Sequence, residues 1–294
     1  MGSKVLKIAA VVLGVGCLLS CIKNNPAIQT DTLEILFRPV VLPNTKIADS
    51  EDKAFPAEQI IRFWAFNSKG ESLLNGVDAY PIGDGLWKVA DNLAWKRSNE
   101  ELTFYAASPA ERMSFTPQSG IIASDYDLDE DVDLLYSVSR VDLEKGSKVI
   151  ELPLSFEHAL ASLRVYVRTN LTSSTNVRVK NLRLGNIASK ASFASFPYPQ
   201  WSEAAESGEL VFWEDDALIT DGEIELSPAR YLIPQNGLAV WELTCDIETG
   251  ESVLKNQVLK AEKPLFLRGG KCAVYKITIM GDLNIKIERD GIYG

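Results

Sequence analysis

The chain has 294 residues, of which 46% are hydrophobic and 24% charged, the balance of a folded protein rather than a disordered or fibrous one. Forty acidic side chains against 30 basic ones give a formal charge of −10, so the surface repels nucleic acid and anionic lipid, and neither is expected as a partner. The length suits two domains of ordinary size.

The chain opens with two lysines, Lys4 and Lys7, and an apolar stretch from Ile8 to Leu19 that ends Leu18-Leu19-Ser20-Cys21. A basic start, a short apolar stretch and small residues before a cut site read as a secretory signal. The stretch is about 12 residues long, whereas a helix needs about 20 to cross a bilayer. The Leu-Leu-Ser-Cys ending resembles the lipobox of bacterial lipoproteins, which implies cleavage before Cys21 and acylation of its sulfur and new amino group. Two or more acyl chains hold a protein stably on a membrane where one does not. Residues 1–20 carry two lysines and no acid, so their removal leaves 274 residues with a charge of −12. No later apolar run is long enough to span a membrane, which makes the acyl group on Cys21 the expected anchor. The competing reading is a plain signal peptide with an incidental cysteine.

Residues 21–30 are mostly polar, contain one proline and read as a tether. Beyond them, short runs alternate with period two. Leu33, Ile35 and Phe37 face one way and Thr32, Glu34 and Arg38 the other. Ile61 to Phe66 is apolar at almost every position, as in a strand buried on both faces. Leu102 to Ala107 is a strand stopped by Ser108-Pro109. Strands follow around Leu163–Val167, Val177–Leu184, Leu238–Ile247, Ala273–Ile279 and Leu283–Ile287, with turns at Ser68-Lys-Gly, Gly83-Asp-Gly, Pro117-Gln-Ser-Gly and Glu248-Thr-Gly. Repeated short strands with turns between them predict an all-β protein built of sandwiches or barrels. Only Asn92–Glu101 and Ser202–Ser207 have room for a helical turn. The polar stretch Asp142–Ser147 divides two strand-rich halves, residues 31–146 and 147–294, with no sequence repeat between them.

Few residues invite chemistry. His158, in Phe156-Glu-His-Ala-Leu160, is the one histidine. No Gly-x-Ser-x-Gly, His-Glu-x-x-His, P-loop or dinucleotide fingerprint accompanies it, so it reads as a hydrogen-bonded packing residue, and no catalytic residue or cofactor is expected. Asp125, Asp127, Asp129, Asp131 and Asp133 alternate and would share one face of an extended chain. A calcium loop fails on Glu130 where glycine is needed and on Tyr136 where a bidentate glutamate is needed. A solvated acidic loop is expected, and no metal. Trp64, Trp87, Trp95 and Trp241 sit in or next to apolar strand patterns and read as core, while Trp201, in Tyr198-Pro-Gln-Trp201, is the candidate exposed aromatic. Cys245 and Cys272 are left to pair in an oxidising compartment. Their strand phases argue against a bond, since Cys245 alternates with Leu243 and Ile247 and Cys272 with Lys276 and Thr278; a bulge would reconcile them.

Several phrases in order resemble the fimbrillin family, lipoprotein pilins and pilus-associated subunits of anaerobic Gram-negative gut and oral bacteria. They are Phe63-Trp-Ala-Phe66, Leu102-Thr-Phe-Tyr-Ala-Ala-Ser-Pro109, Asp133-Leu-Leu-Tyr136, Leu154-Ser-Phe-Glu-His-Ala-Leu-Ala-Ser-Leu163 and the closing Tyr275-Lys-Ile-Thr-Ile-Met-Gly-Asp282. The resemblance implies two transthyretin-like β-sandwich domains in tandem, no enzymatic activity, and assembly with other pilus subunits by strand exchange. In that scheme a protease releases the first strand, here the one bearing Leu33, Ile35 and Phe37, from an edge position. Another subunit's strand then fills the groove. This chain departs from the stalk pattern at the cut site. Arg38 is followed by Pro39, Lys46 and Lys53 are poor substitutes for an arginine-directed enzyme, and Arg62 falls in the next strand. An accessory, anchor or tip subunit is therefore expected, lipid-anchored at the outer membrane and facing a host or bacterial receptor. The rival is an outer-membrane glycan-binding lipoprotein, which exposed coplanar aromatics would mark.

Overall fold

The alternating runs fold as strands. In a computed structural model, residues 32–43, 53–89, 95–96, 101–128, 132–142, 149–219, 222–226, 229–250 and 252–293 are described. Among them there is no α-helix; the one helical piece is a 3-10 turn at Ala110–Arg112. The protein is all-β. The expected helical turn at Ser202–Ser207 is instead open chain leading into a strand, and most of Asn92–Glu101 lies outside the described residues. So does everything before Thr32, including Cys21 and the tether.

The N-terminal half runs β1 (Thr32–Val41), β2 (Lys53–Ala54), β3 (Ile61–Asn67), β4 (Ser72–Gly83), β5 (Leu86–Val89), β6 (Trp95–Lys96) and β7 (Glu101–Ser108). It continues through β8 (Ser114–Thr116), β9 (Gly120–Asp127), β10 (Leu135–Asp142) and β11 (Val149–His158). The β4–β5 turn is the Gly83-Asp84-Gly85 signal, where φ is +108°, +51° and +71°, a left-handed path that glycine takes freely. Nine of these strands form one sheet in the order β11-β10-β7-β3-β4-β5-β1-β2, with β6 also on β1. Because β1 bonds both β11 and β5, the pairing closes into a ring. Its inward residues, among them Phe37, Phe63, Phe104, Leu154 and Phe156, form the first core.

The second half runs β12 (Ala161–Thr169), β13 (Thr175–Ala194), β14 (Gln200–Trp201), β15 (Glu206–Ile219), β16 (Glu223–Glu225), β17 (Arg230–Leu232), β18 (Asn236–Thr249), β19 (Ser252–Phe266), β20 (Cys272–Ile279) and β21 (Ile285–Tyr293). A five-stranded sheet, β16-β12-β20-β21 with β17 on β12, faces a seven-stranded one, β19-β18-β13-β9-β8 with β14 and β15 on β13. Between them lies the second core, with Val165, Leu184, Trp241, Leu243 and Tyr275 fully buried or nearly so.

The expected division at residue 146 does not match the pairing. β11 follows that point, yet it pairs in parallel with β1 and antiparallel with β10, inside the first sheet. Conversely, β8 and β9 precede it, yet β9 pairs with β13 in the second half. Local alternation defines a strand but not its partner, so a polar link is no reliable boundary. A third cluster, including Trp64, Tyr126, Tyr136, Leu160 and Phe193, fills the seam between the two halves.

Candidate functional site

The first strand is the leading candidate. Ile35 and Phe37 are buried, and Phe37 packs its ring 4.4 Å from Phe63 and 5.3 Å from Phe104, at the middle of the first core. Leu33 pairs through its backbone with Trp95; the side chains of both lie outside the described residues. On one side β1 makes an unbroken parallel ladder with β11, from Glu34 opposite Val149 to Val41 opposite Phe156. On the other it touches three short pieces: Leu33 at β6, Phe37 opposite Trp87 of β5, and Val40–Val41 at β2. The strand is thus enclosed rather than at the expected edge, although one flank is covered only in patches. Outward side chains fasten it further. Lys88 Nζ donates to Glu34 at 2.6 Å, and Arg38 donates to Glu151 at 2.8 Å and to the Asp84 carbonyl at 3.0 Å.

At the exit of β1 stands His158. Its Nε2 lies 2.9 Å from the Leu42 carbonyl and its Nδ1 2.6 Å from Asp133 Oδ2. A carbonyl only accepts, so Nε2 carries a proton, and the Nδ1···Oδ2 contact requires one proton between its two atoms. Tyr231 stacks over the ring at 6.1 Å. With both nitrogens engaged, none is free to activate a nucleophile. His158 is a clasp between the end of β11, the Asp133 segment and the chain leaving β1. Of the five alternating aspartates, Asp129 and Asp131 lie outside the described residues. Asp125 breaks the alternation with a φ of +49°, and Asp133 turns inward to the histidine. Among the described residues no cluster of His, Cys, Asp and Glu could hold a metal.

A cleft of about 930 Å³ opens beside the clasp. Its walls come from the exit of β1, the end of β11, β14, the start of β18 and the β19–β20 turn at Arg268–Lys271. In that turn Gly270 has φ +67°, and a Cβ on Gly269 would lie 2.9 Å from the Ala159 carbonyl, so the turn closes down onto β11 only with glycine. Tyr136 donates to Glu157 at 2.9 Å; burial first, then the neighbouring carboxylate, holds its phenol well above the usual range.

Trp201, expected to be exposed, is half-buried. Its Nε1 donates to the Ala159 carbonyl at 2.8 Å, and its ring packs against Phe193 and Tyr126. The Pro-rich flank suggested a loop, but Gln200–Trp201 pairs with Phe193–Ala194 as a strand. Trp64, Trp87 and Trp241 are core, as their patterns indicate. Cys245 and Cys272 are both buried and free, and burial pushes the Cys245 thiol up to about 11.

Neither Leu42 nor the Asp133–His158 pairing was marked as a site by sequence. The only signal was that the run of aspartates and the single histidine both end next to strands.

The Fimbrillin-like family matches residues 45–289. The chain belongs to that family. The match begins after β1, so the first strand's role rests on this chain's own geometry. No curated protein matches the chain. Among solved structures, a fimbrial protein from Bacteroides vulgatus aligns at TM-score 0.62 and 16% identity, over 90% of this chain and 99% of that one. A candidate cell-adhesion protein from Bacteroides ovatus aligns at 0.56 and 13%, over 89% and 97%. Another from Bacteroides uniformis aligns at 0.55 and 15%, over 90% and 98%. At these identities the likeness is one of fold, and it extends over nearly the whole of this fimbrillin-like chain.

Proposed function

We propose that the protein is a non-catalytic structural and adhesion subunit of a cell-surface fimbria. It is anchored to the outer membrane through acylated Cys21 and assembles with other subunits by exchange of β1. The observation that carries this reading is how β1 is seated. It fills the centre of the first core, has one full ladder with β11, and is covered in patches on its other flank. Its removal would open an apolar groove and leave the backbone groups of β11 unpaired, and a strand from another subunit would satisfy both. Membership of the fimbrillin-like family and the fimbrial and adhesion neighbours support the same reading.

Arg38 sits in the middle of β1 with a buried Pro39 behind it. A protease needs its target bond extended and accessible, and this one is laddered to Pro153 and Leu154. An accessory, anchor or tip position suits such a chain better than a stalk position. Deleting residues 22–41 tests the exchange. The truncated protein should self-associate or capture a peptide of residues 32–41, and a stable monomer that captures nothing would refute it. Cys21→Ala should release the protein from membranes; its retention there would remove the anchor.

A further inference from the structure

We infer that the cleft beside His158 is a binding site for an acidic saccharide, recognised by a carboxylate and by hydroxyls. The inference deepens the adhesion reading by naming a ligand class, and it does not depend on strand exchange.

The first observation is what the cleft floor has already spent. The Leu42 carbonyl is taken by His158 and the Ala159 carbonyl by Trp201, while the Leu42 N–H donates to Phe156 and the Ala159 N–H to Leu134. The Gln235 backbone exchanges both its bonds with Leu267, and the Gln235 side chain is held by Ala188 and Ile233. An extended peptide binds by adding main-chain bonds to a free edge. Here the floor offers no such row, so an incoming ligand meets side chains.

The second observation is which side chains remain. Arg268 and Lys271 stand on one turn at the wall, and neither side chain has an ion pair or hydrogen bond among the described residues. In a chain of net charge −10, two uncommitted cations on one four-residue turn are a local attraction for an anion. Arginine in particular takes a carboxylate through two parallel bonds. The exposed amides of Gln200 and Asn236 line the same space and can each donate to and accept from a hydroxyl. The Trp201 ring, fixed by its bond to Ala159, lends the lining an apolar surface, and Glu157, one oxygen of which accepts from Tyr136, has a second oxygen that can accept from a hydroxyl. About 930 Å³ is within the range of sites that enclose a small ligand. Cation, amide and aromatic groups together fit a sugar acid better than a phosphate, which would leave the amide oxygens and the apolar surface idle.

The test is calorimetric titration of the purified protein with tri-galacturonate, its neutral methyl ester and an aspartate-rich hexapeptide. Tri-galacturonate should bind, and the ester should bind at least about tenfold more weakly, the loss expected for one good charged contact. Arg268→Gln with Lys271→Gln should lower affinity for the acid by about tenfold or more, leave the ester unchanged, and keep the melting temperature, since both residues lie on a surface turn. Raising salt should weaken the acid alone. No binding of either saccharide, equal binding of acid and ester, or an affinity untouched by the double substitution would overturn the assignment. Tighter binding of the peptide would also overturn it and give the cleft to a protein partner. The titration requires no exchange of β1, so failure of strand exchange would leave its result standing.

Discussion

At the scale of single residues, His158 is held through both of its ring nitrogens. Its two bonds join three segments that are distant in sequence, and Asp133 Oδ1, buried beside it, has no partner among the described residues. His158→Gln can keep one bond but not both, and it leaves a buried carboxylate facing an amide. The expected cost is about 1–3 kcal/mol in urea unfolding. Because the lost bond holds Leu42, amide exchange should speed up around Val40–Leu42 before it does in the second half. Uniform acceleration across the chain would argue against a local clasp. The cysteines give a second prediction. Both are buried, and the Cys245 thiol is pushed up to about 11, so Cys245 and Cys272 should resist a thiol reagent at neutral pH in the native protein and both react once it is unfolded. No reaction at either residue on unfolding would mean that the pair is oxidised. The sequence showed His158 as a packing residue because apolar neighbours flank it. It could not show Asp133 as its partner, since alternation placed that aspartate on a solvated face and only the inward turn of the chain put it against the ring.

At the scale of elements, strand existence followed from alternation, whereas strand partnership did not. Ile35, Phe37 and buried Pro39 alternate, so β1 was visible; its parallel partner β11 begins more than a hundred residues later. A pairing of that reach leaves no local periodicity. The 20-residue β13 was seen only as its apolar segments, because register shifts at Val179/Asn181 and Gly185/Ile187 interrupt the phase. The seat of β1 makes its own predictions. Phe37→Ala should destabilise the protein by about 3–5 kcal/mol, as a buried ring touching Phe63 and Phe104 is lost. Pro39→Ala should let an arginine-specific protease cut after Arg38 as often as β1 opens from its ladder, with β1 released in proportion; equal resistance of both proteins would show that the ladder, not the proline, guards the bond. In the second half, the Arg164 fork grips Glu225 at 2.6 and 2.7 Å and holds its carboxyl below the usual range. A depressed carboxylate stabilises the fold above its ordinary pKa, near about 4.3, and that contribution fades as pH falls below it. Glu225→Gln should therefore flatten the acid limb of stability slightly, the pair being about a third exposed. The long outer strand β19 exposes Val253, Leu254 and Val258, yet Lys255, Lys260, Lys263 and Pro264 punctuate it, which discourages pairing along that edge.

At the scale of the whole molecule, the two halves share a hydrophobic seam. The apolar run at β3 explains it: Phe63 points into the first core and Trp64 into the seam, so a strand with two buried faces was the sequence's one sign of contact between halves. Leu135 and Tyr136 divide in the same way on β10. Phe193 closes the seam from β13, with its ring 5.2 Å from Tyr136 and 5.6 Å from Trp201. Independent sandwiches on a flexible link would melt separately, whereas halves joined by buried aromatics should unfold together. Calorimetry of the intact protein should therefore show one cooperative transition. Phe193→Ala removes a nearly fully buried ring at a cost of about 3–5 kcal/mol, most of it from the seam rather than from either core. The variant should accordingly split into two transitions, with the second-half core around Trp241 and Tyr275 melting close to its original temperature. Two transitions in the unaltered protein would show that the seam carries no coupling. A single transition in the variant, merely shifted downward, would place the coupling in the strands that cross between halves, with β9 laddered to β13, and not in the aromatic cluster.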